Sequence, residues 1–154
     1  MDERITRLRT AEECEQFALN VATRHPDLAL LARRRAIELK AATFGAKTDA
    51  EREALVALVA YECVLSQRNG KKVRASRTWP MIKKYGIIGT VERVVSRDAD
   101  PSGYTALAEM GLTDLAFEAV VLRHQSLFSK EAIAQSSQRL ERWDKTVKNN
   151  DSAQ

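Results

Sequence analysis

Apolar residues recur along this chain at intervals of three and four, and nowhere do they alternate strictly over the length of a strand. Cys14, Phe17, Ala18, Val21 and Ala22 form one such stripe, directly behind Thr10-Ala-Glu-Glu13. That tetrapeptide is a capping box, in which the Thr hydroxyl and the Glu carboxylate each take an amide that a first helical turn leaves unpaired. His25-Pro26-Asp27 ends the helix, because the residue before a proline avoids helical dihedrals. A second helix is predicted over about 27–44, with Gly45 as the residue past its end. The two would form an antiparallel hairpin. No second copy follows at a period of about 34 residues, so the hairpin is not one unit of a repeat array.

Thr48-Asp-Ala-Glu51 is a second capping box and opens a helix over about 49–68. Between Ala54 and Leu65 that helix is apolar almost all round, with Glu62 its only acid, which places it in the middle of a core. Asn69-Gly70 reads as its cap rather than as a hairpin turn, since neither flank alternates. A short helix is predicted over 78–85, with Pro80 in the first turn, where a missing N–H costs nothing, and Gly86 stopping it. Ile87, Ile88, Val91, Val94 and Val95 mark the next helix, to residue 97, and residues 98–103 read as a loop. Three further helices are predicted: over 104–110, from a Thr113-Asp114 cap to residue 123, and from a Ser129 cap onward. The last carries Ile133, Leu140, Trp143 and Val147 on one stripe. The pattern predicts an all-α fold: one domain over 1–148, a compact bundle of seven or eight helices. Its two halves, about 1–70 and 71–148, are joined by a basic segment, and a frayed polar tail follows at 149–154.

With 154 residues, 44% of them hydrophobic and 30% charged, the chain is large enough to bury a core without disulfides. Its longest apolar stretch, 54–61, is far too short to span a bilayer, and Asp2-Glu3-Arg4 is not the opening of a secretory leader, so a cytoplasmic protein with no membrane partner is expected. Cys14 and Cys63 lack CxxC spacing and are expected as small core residues, which excludes a disulfide scaffold or zinc ribbon. Walker, GxGxxG, HExxH and GxSxG motifs are absent, and neither a metal nor a cofactor is expected.

Charge changes this picture more than composition does. Between Cys63 and Thr90 there is no acidic residue, yet the stretch holds seven of the 25 basic ones: Arg68, Lys71, Lys72, Arg74, Arg77, Lys83 and Lys84. The other 18, set against 21 acids, leave the rest of the chain at −3. A basic segment on a mildly acidic body is the footprint of a polyanion binder. Phosphates take Arg, Lys, hydroxyls and helix N-terminal amides, and Ser76 and Thr78 add hydroxyls beside a predicted helix start. Trp79 and Tyr85 are candidates for stacking on bases, although the large area of an indole makes Trp79 a core anchor before it is a platform. A helix-turn-helix is also conceivable, with residues 78–85, Gly86 and residues 88–97 as its parts. Glu92 argues against it, falling where the second helix needs an apolar residue, and only Thr90, Arg93, Ser96 and Arg97 would remain to read bases.

Two carboxylates interrupt apolar helices, Glu62 and Glu118. Facing each other they would share a proton, bind a metal, or act as acid and base. The simpler expectation is that each is buried against an arginine, with Arg34, Arg93 and Arg123 as candidates. Of the Arg33-Arg34-Arg35 triplet, one side chain is expected on the basic surface and another on a buried carboxylate. His25 and His124 read as helix-end residues. Together these features point to a small nucleic-acid-binding protein, for DNA rather than RNA. Its phosphate grip is expected at Arg68, Lys71, Lys72, Arg74, Arg77, Thr78, Trp79, Lys83 and Lys84 within 68–85, extended by Arg93 and Arg97. The alternative is a helical protein-interaction, adaptor or inhibitor module, or a homo-oligomer, that would bury the Trp143 stripe against a second chain. An enzyme, resting on Glu62 and Glu118 alone, is the least favoured reading, and no catalytic residue is assigned.

Overall fold

A computed structural model describes residues 2–97 and 102–152, and among these there are eight α-helices and no strand. They are α1 (Glu3–Thr6), α2 (Ala11–Val21), α3 (Pro26–Ala42), α4 (Asp49–Asn69), α5 (Thr78–Ser96), α6 (Ser102–Glu109), α7 (Phe117–Arg123) and α8 (Lys130–Ser152). The all-α expectation is met. The chain divides into two compact units, Met1–Ala46 and Lys47–Gln154, so α4 and the whole basic segment belong to the second.

In the first unit the Thr10 capping box forms in full: its hydroxyl accepts from the Glu13 amide, and the Glu13 carboxylate accepts from the amides of Arg9 and Thr10. Pro26 begins α3 at the first-turn position that tolerates a missing N–H. Ile5, Ala18, Leu28, Ala29 and Ala32 make one core cluster, and Ala11, Cys14 and Ala36 another. The short helix α1 has no counterpart in the apolar periodicity; Asp2 caps it. Arg35 reaches the carbonyls of Leu8 (2.7 Å) and Thr6 rather than a carboxylate, and so satisfies acceptors at and just past the C-terminal end of α1.

The second unit is built on α4. Every residue from Ala54 to Leu65 is at least half-buried, as its all-round apolar sequence requires. Ala54 and Ala57 share a core cluster with Val91 and Val95 of α5, Val120 and Val121 of α7, Phe128 just before α8, and Ala132 in its first turn. Thr48 caps α4 through the Glu51 amide, and Gly70 ends it in the left-handed conformation (φ 66°), a cap and not a hairpin turn. The 19 residues of α5 are two helical segments meeting at Gly86, whose φ of 79° and ψ of 172° only glycine adopts readily. The break read from the sequence at Gly86 is therefore present.

Three details differ from expectation. Thr113-Asp114 does not cap α7: residues Thr113–Leu115 form a 3₁₀ turn and the helix starts at Phe117. Helix α8 continues to Ser152, through most of the stretch read as a frayed tail. Its buried positions are Ala132, Ser136, Arg139 and Trp143, whereas Ile133, Leu140 and Val147 are only half-buried. Of the loop read at 98–103, residues 98–101 lie outside the described residues, and Ser102-Gly103 already belong to α6.

Candidate functional site

The basic segment is not a loose linker. The Ser66 hydroxyl of α4 donates to the Glu62 carbonyl and accepts from the Val73 amide at 2.9 Å. One turn earlier, a single carboxylate oxygen of Glu62 accepts both the Ala75 amide (2.7 Å) and the Trp79 indole N–H (2.9 Å). Two side chains of one helix therefore fasten Val73, Ala75 and Trp79, while Lys71 and Lys72 before them and Arg74, Ser76 and Arg77 between them are all exposed. This corrects two expectations. Glu62 is answered by an amide and an indole, not by an arginine, and Trp79 is neither a core residue nor a bare platform. It is half-buried, bonded at its N–H, and has the Arg74 guanidinium 5.4 Å from its ring centre.

Past Trp79 the cations gather on a second ring. Tyr85 is exposed, with the Arg93 guanidinium 3.6 Å and the Lys84 ammonium 5.1 Å from its centre. Hydrogen bonding to Lys84, and then the field of both cations, holds the Tyr85 hydroxyl below its usual pKa. Arg97 returns across the Gly86 break to the Met81 sulfur at 3.5 Å. Among the described residues only Arg68 of the predicted grip sits in an ion pair, a loose one with Glu109 at 3.7 Å. Lys71, Lys72, Arg77 and Lys83 are exposed and meet no anion among those residues.

The helix-turn-helix reading loses its recognition helix. Val91 and Val95 are buried in the core, and α5 is packed by α4, α7 and α8. Thr90 is buried with its hydroxyl on the Gly86 carbonyl. Glu92, the residue out of place in such a motif, accepts from both the amide and the hydroxyl of Ser129 at 2.8 Å, while the Ser129 hydroxyl accepts from the Ala132 amide. It thus closes the α8 N-terminus with a negative charge.

Glu118 is buried as expected, but its partner is Arg139, which the sequence reading left out, at 3.4 Å. Burial pushes the Glu118 carboxyl above its ordinary pKa, and the Arg139 charge only partly offsets this. The second terminal nitrogen of Arg139 and the Ser136 hydroxyl are buried without a hydrogen-bond partner among the described residues. Arg123 pairs instead with Glu53, which also meets His124 at the end of α7. Burial pushes the Glu53 carboxyl up, but bonds from His124 and then Arg123 outweigh it and hold the carboxyl below its usual value. Arg93 serves Tyr85, and Arg34 lies half-buried on α3 in the first unit.

Beside the fastened segment lies a cavity of about 460 Å³. Its lining includes Tyr61, Arg74, Arg77, Arg97, Tyr104 and Trp143, together with Glu118 but not Glu62, so the two candidate acids do not share it. Tyr104 and Trp143 are both buried, their rings 5.4 Å apart, and the Tyr104 hydroxyl bonds Asp144. Burial, reinforced by that bond, pushes Tyr104 up to about 12. Trp143 therefore packs inside the second unit. No family model, curated protein or solved structure matches this chain.

Proposed function

We propose that the second unit binds nucleic acid through the phosphate backbone, with Lys71, Lys72, Arg74, Arg77, Lys83 and Lys84 as the main contacts, Arg68, Arg93 and Arg97 at the edges, and DNA as the favoured polymer. One observation carries the reading: a run of cations without an intervening acid is held by Glu62 and Ser66 so that its charged side chains stay exposed and, apart from Arg68, free of ion pairs among the described residues. A pinned backbone lowers the ordering cost of binding. Phosphate contacts supply affinity and position but no sequence information, and the packed α5 offers few side chains to read bases. Thr78 stands at the start of α5, where its hydroxyl suits a phosphate oxygen, while the Thr78 and Trp79 amides already donate to the Ala75 carbonyl. Trp79 and Tyr85, already engaged by Glu62, Arg74, Arg93 and Lys84, act by holding cations in place rather than by stacking.

Anisotropy titration of labelled duplex and single-stranded DNA at several salt concentrations tests this. Six neutralised phosphates give a slope of log K against log salt of about −5 on duplex. Lys71→Glu, Lys72→Glu and Lys83→Glu together, at positions that meet no acid among the described residues, should melt like the parent and bring the slope to about −3 or shallower. Absence of binding at low salt, or a triple variant with unchanged affinity, overturns the proposal.

A further inference from the structure

The cavity beside the basic segment has a polar end and an apolar end. Arg74, Arg77 and Arg97 line it and are exposed, so they stand at its solvent side; Ser76 and Thr78 line it with them. Tyr104, Leu107 and Trp143 line it and are buried, so they stand at its depth, with Tyr61, Leu65 and Phe117 half-buried along the walls. Its volume, about 460 Å³, falls within the ~300–1,000 Å³ of small-molecule sites, which pair mostly apolar walls with a few convergent polar groups. Among the described residues the charge at the mouth is of one sign. The single acid among the described lining residues, Glu118, is buried and already answered by Arg139. A cationic ligand would meet three guanidinium groups, and a neutral apolar one would leave them unused.

From this arrangement we infer that the cavity binds a small organic acid with an aromatic or acyl body: its anionic head lies at Arg74, Arg77 and Arg97, and its body between Tyr61, Leu107, Phe117 and Trp143. Guanidinium groups suit such a head because their paired N–H donors match the two oxygens of a carboxylate, and the same fork serves a sulfonate or phosphate. The body displaces water from aromatic and aliphatic walls, so head and body contribute independently. The inference does not depend on nucleic-acid binding, and its test contains no nucleic acid.

Calorimetric titration of the whole chain with 1-naphthoate and with decanoate, alongside 1-naphthylmethanol and 1-naphthylmethylammonium, decides it. The expected result is saturable one-to-one binding of at least one acid, with the alcohol weaker and the ammonium compound weakest. Trp143 fluorescence should change along the same isotherm in a Trp79→Phe background. Arg77→Gln with Arg97→Gln, both exposed positions, should keep the parent circular dichroism and melting curve while weakening the acid about tenfold or more, as loss of charge-assisted hydrogen bonds requires. Three results overturn the inference: no saturable binding of either acid, an alcohol or ammonium compound that binds as tightly as the acid, or a double variant that binds the acid unchanged.

Discussion

Replacing Glu62 tests whether one carboxylate oxygen organises the basic segment. Its two bonds, from the Ala75 amide at 2.7 Å and the Trp79 indole at 2.9 Å, are of the charge-assisted kind, worth about 1.5–3 kcal/mol each when well shielded. Glu62 is half-buried, so solvent screens part of this, and Glu62→Ala should cost about 2–4 kcal/mol. The buried Ala75 residue leaves its amide little recourse to water. Glu62→Gln is the informative control. Both donors converge on the same oxygen, and an amide oxygen in the same rotamer can accept both, so only the charge is lost and the cost should be about 1 kcal/mol. Trp79→Phe removes one donor and leaves the other bond intact. In a double-mutant cycle with Glu62→Ala it should couple by about 1–2 kcal/mol, because both single changes delete the same bond. Both tryptophans lie in the second unit, so urea unfolding followed by fluorescence reports on that unit, with circular dichroism beside it. A Glu62→Ala variant as stable as the parent, or additive single and double changes, would refute the reasoning. A Gln variant as unstable as Ala would show that charge, not acceptor geometry, does the holding.

Other perturbations follow from the same contacts. Arg139→Met should cost about 3–5 kcal/mol by leaving Glu118 buried without its cation, whereas Arg139→Met with Glu118→Leu should recover most of that loss in urea unfolding; a double change that costs the sum of the two single ones would show the pair is not coupled. Gly86→Ala has open space for its methyl but must keep a backbone that only glycine adopts easily, so a loss of about 1–3 kcal/mol is expected, and a stabilised variant would count against the break in α5. Glu53 is held below its unfolded pKa, so its contribution is present above the unfolded value and is lost as pH falls through the folded one. Glu53→Gln should therefore be less stable than the parent near neutrality by about 1 kcal/mol, and the gap should narrow as pH falls below the unfolded value, in urea titrations at each pH.

Much of the fold was legible because local rules and packing agree. Thr10, Thr48 and Ser129 cap helices where their spacing to an acid or an apolar run says they should, and Gly70 and Gly86 mark real ends. The Thr113 start of α7 was misread because a Thr-Asp pair suits a 3₁₀ turn as well as an α-helix cap, and tertiary contacts make the choice. At the site, the run of cations is visible in one dimension but its fastening is not. Glu62 and Ser66 look like interruptions of an apolar helix until the chain returns over them. The buried role of Arg139 was invisible for a similar reason: arginine is almost never buried, so a stripe reader passes over it in favour of Leu140. The cavity draws its lining from five helices and the turns between them, and no spacing within one segment announces it.

The fastening of the basic segment also bears on the order in which this unit can form. Val73, Ala75 and Trp79 reach Ser66 and Glu62 across sequence separations of 7, 13 and 17, whereas Glu92 meets Ser129 across 37 and Glu53 meets His124 across 71. Short loops close at the smallest entropic cost and on the shortest timescale. The crowding of like charges is therefore imposed by contacts of short sequence separation. A chain emerging from the ribosome can lay its cations along α4 while α7 and α8 are still unmade, and the later helices then close on an array whose charged side chains already face water.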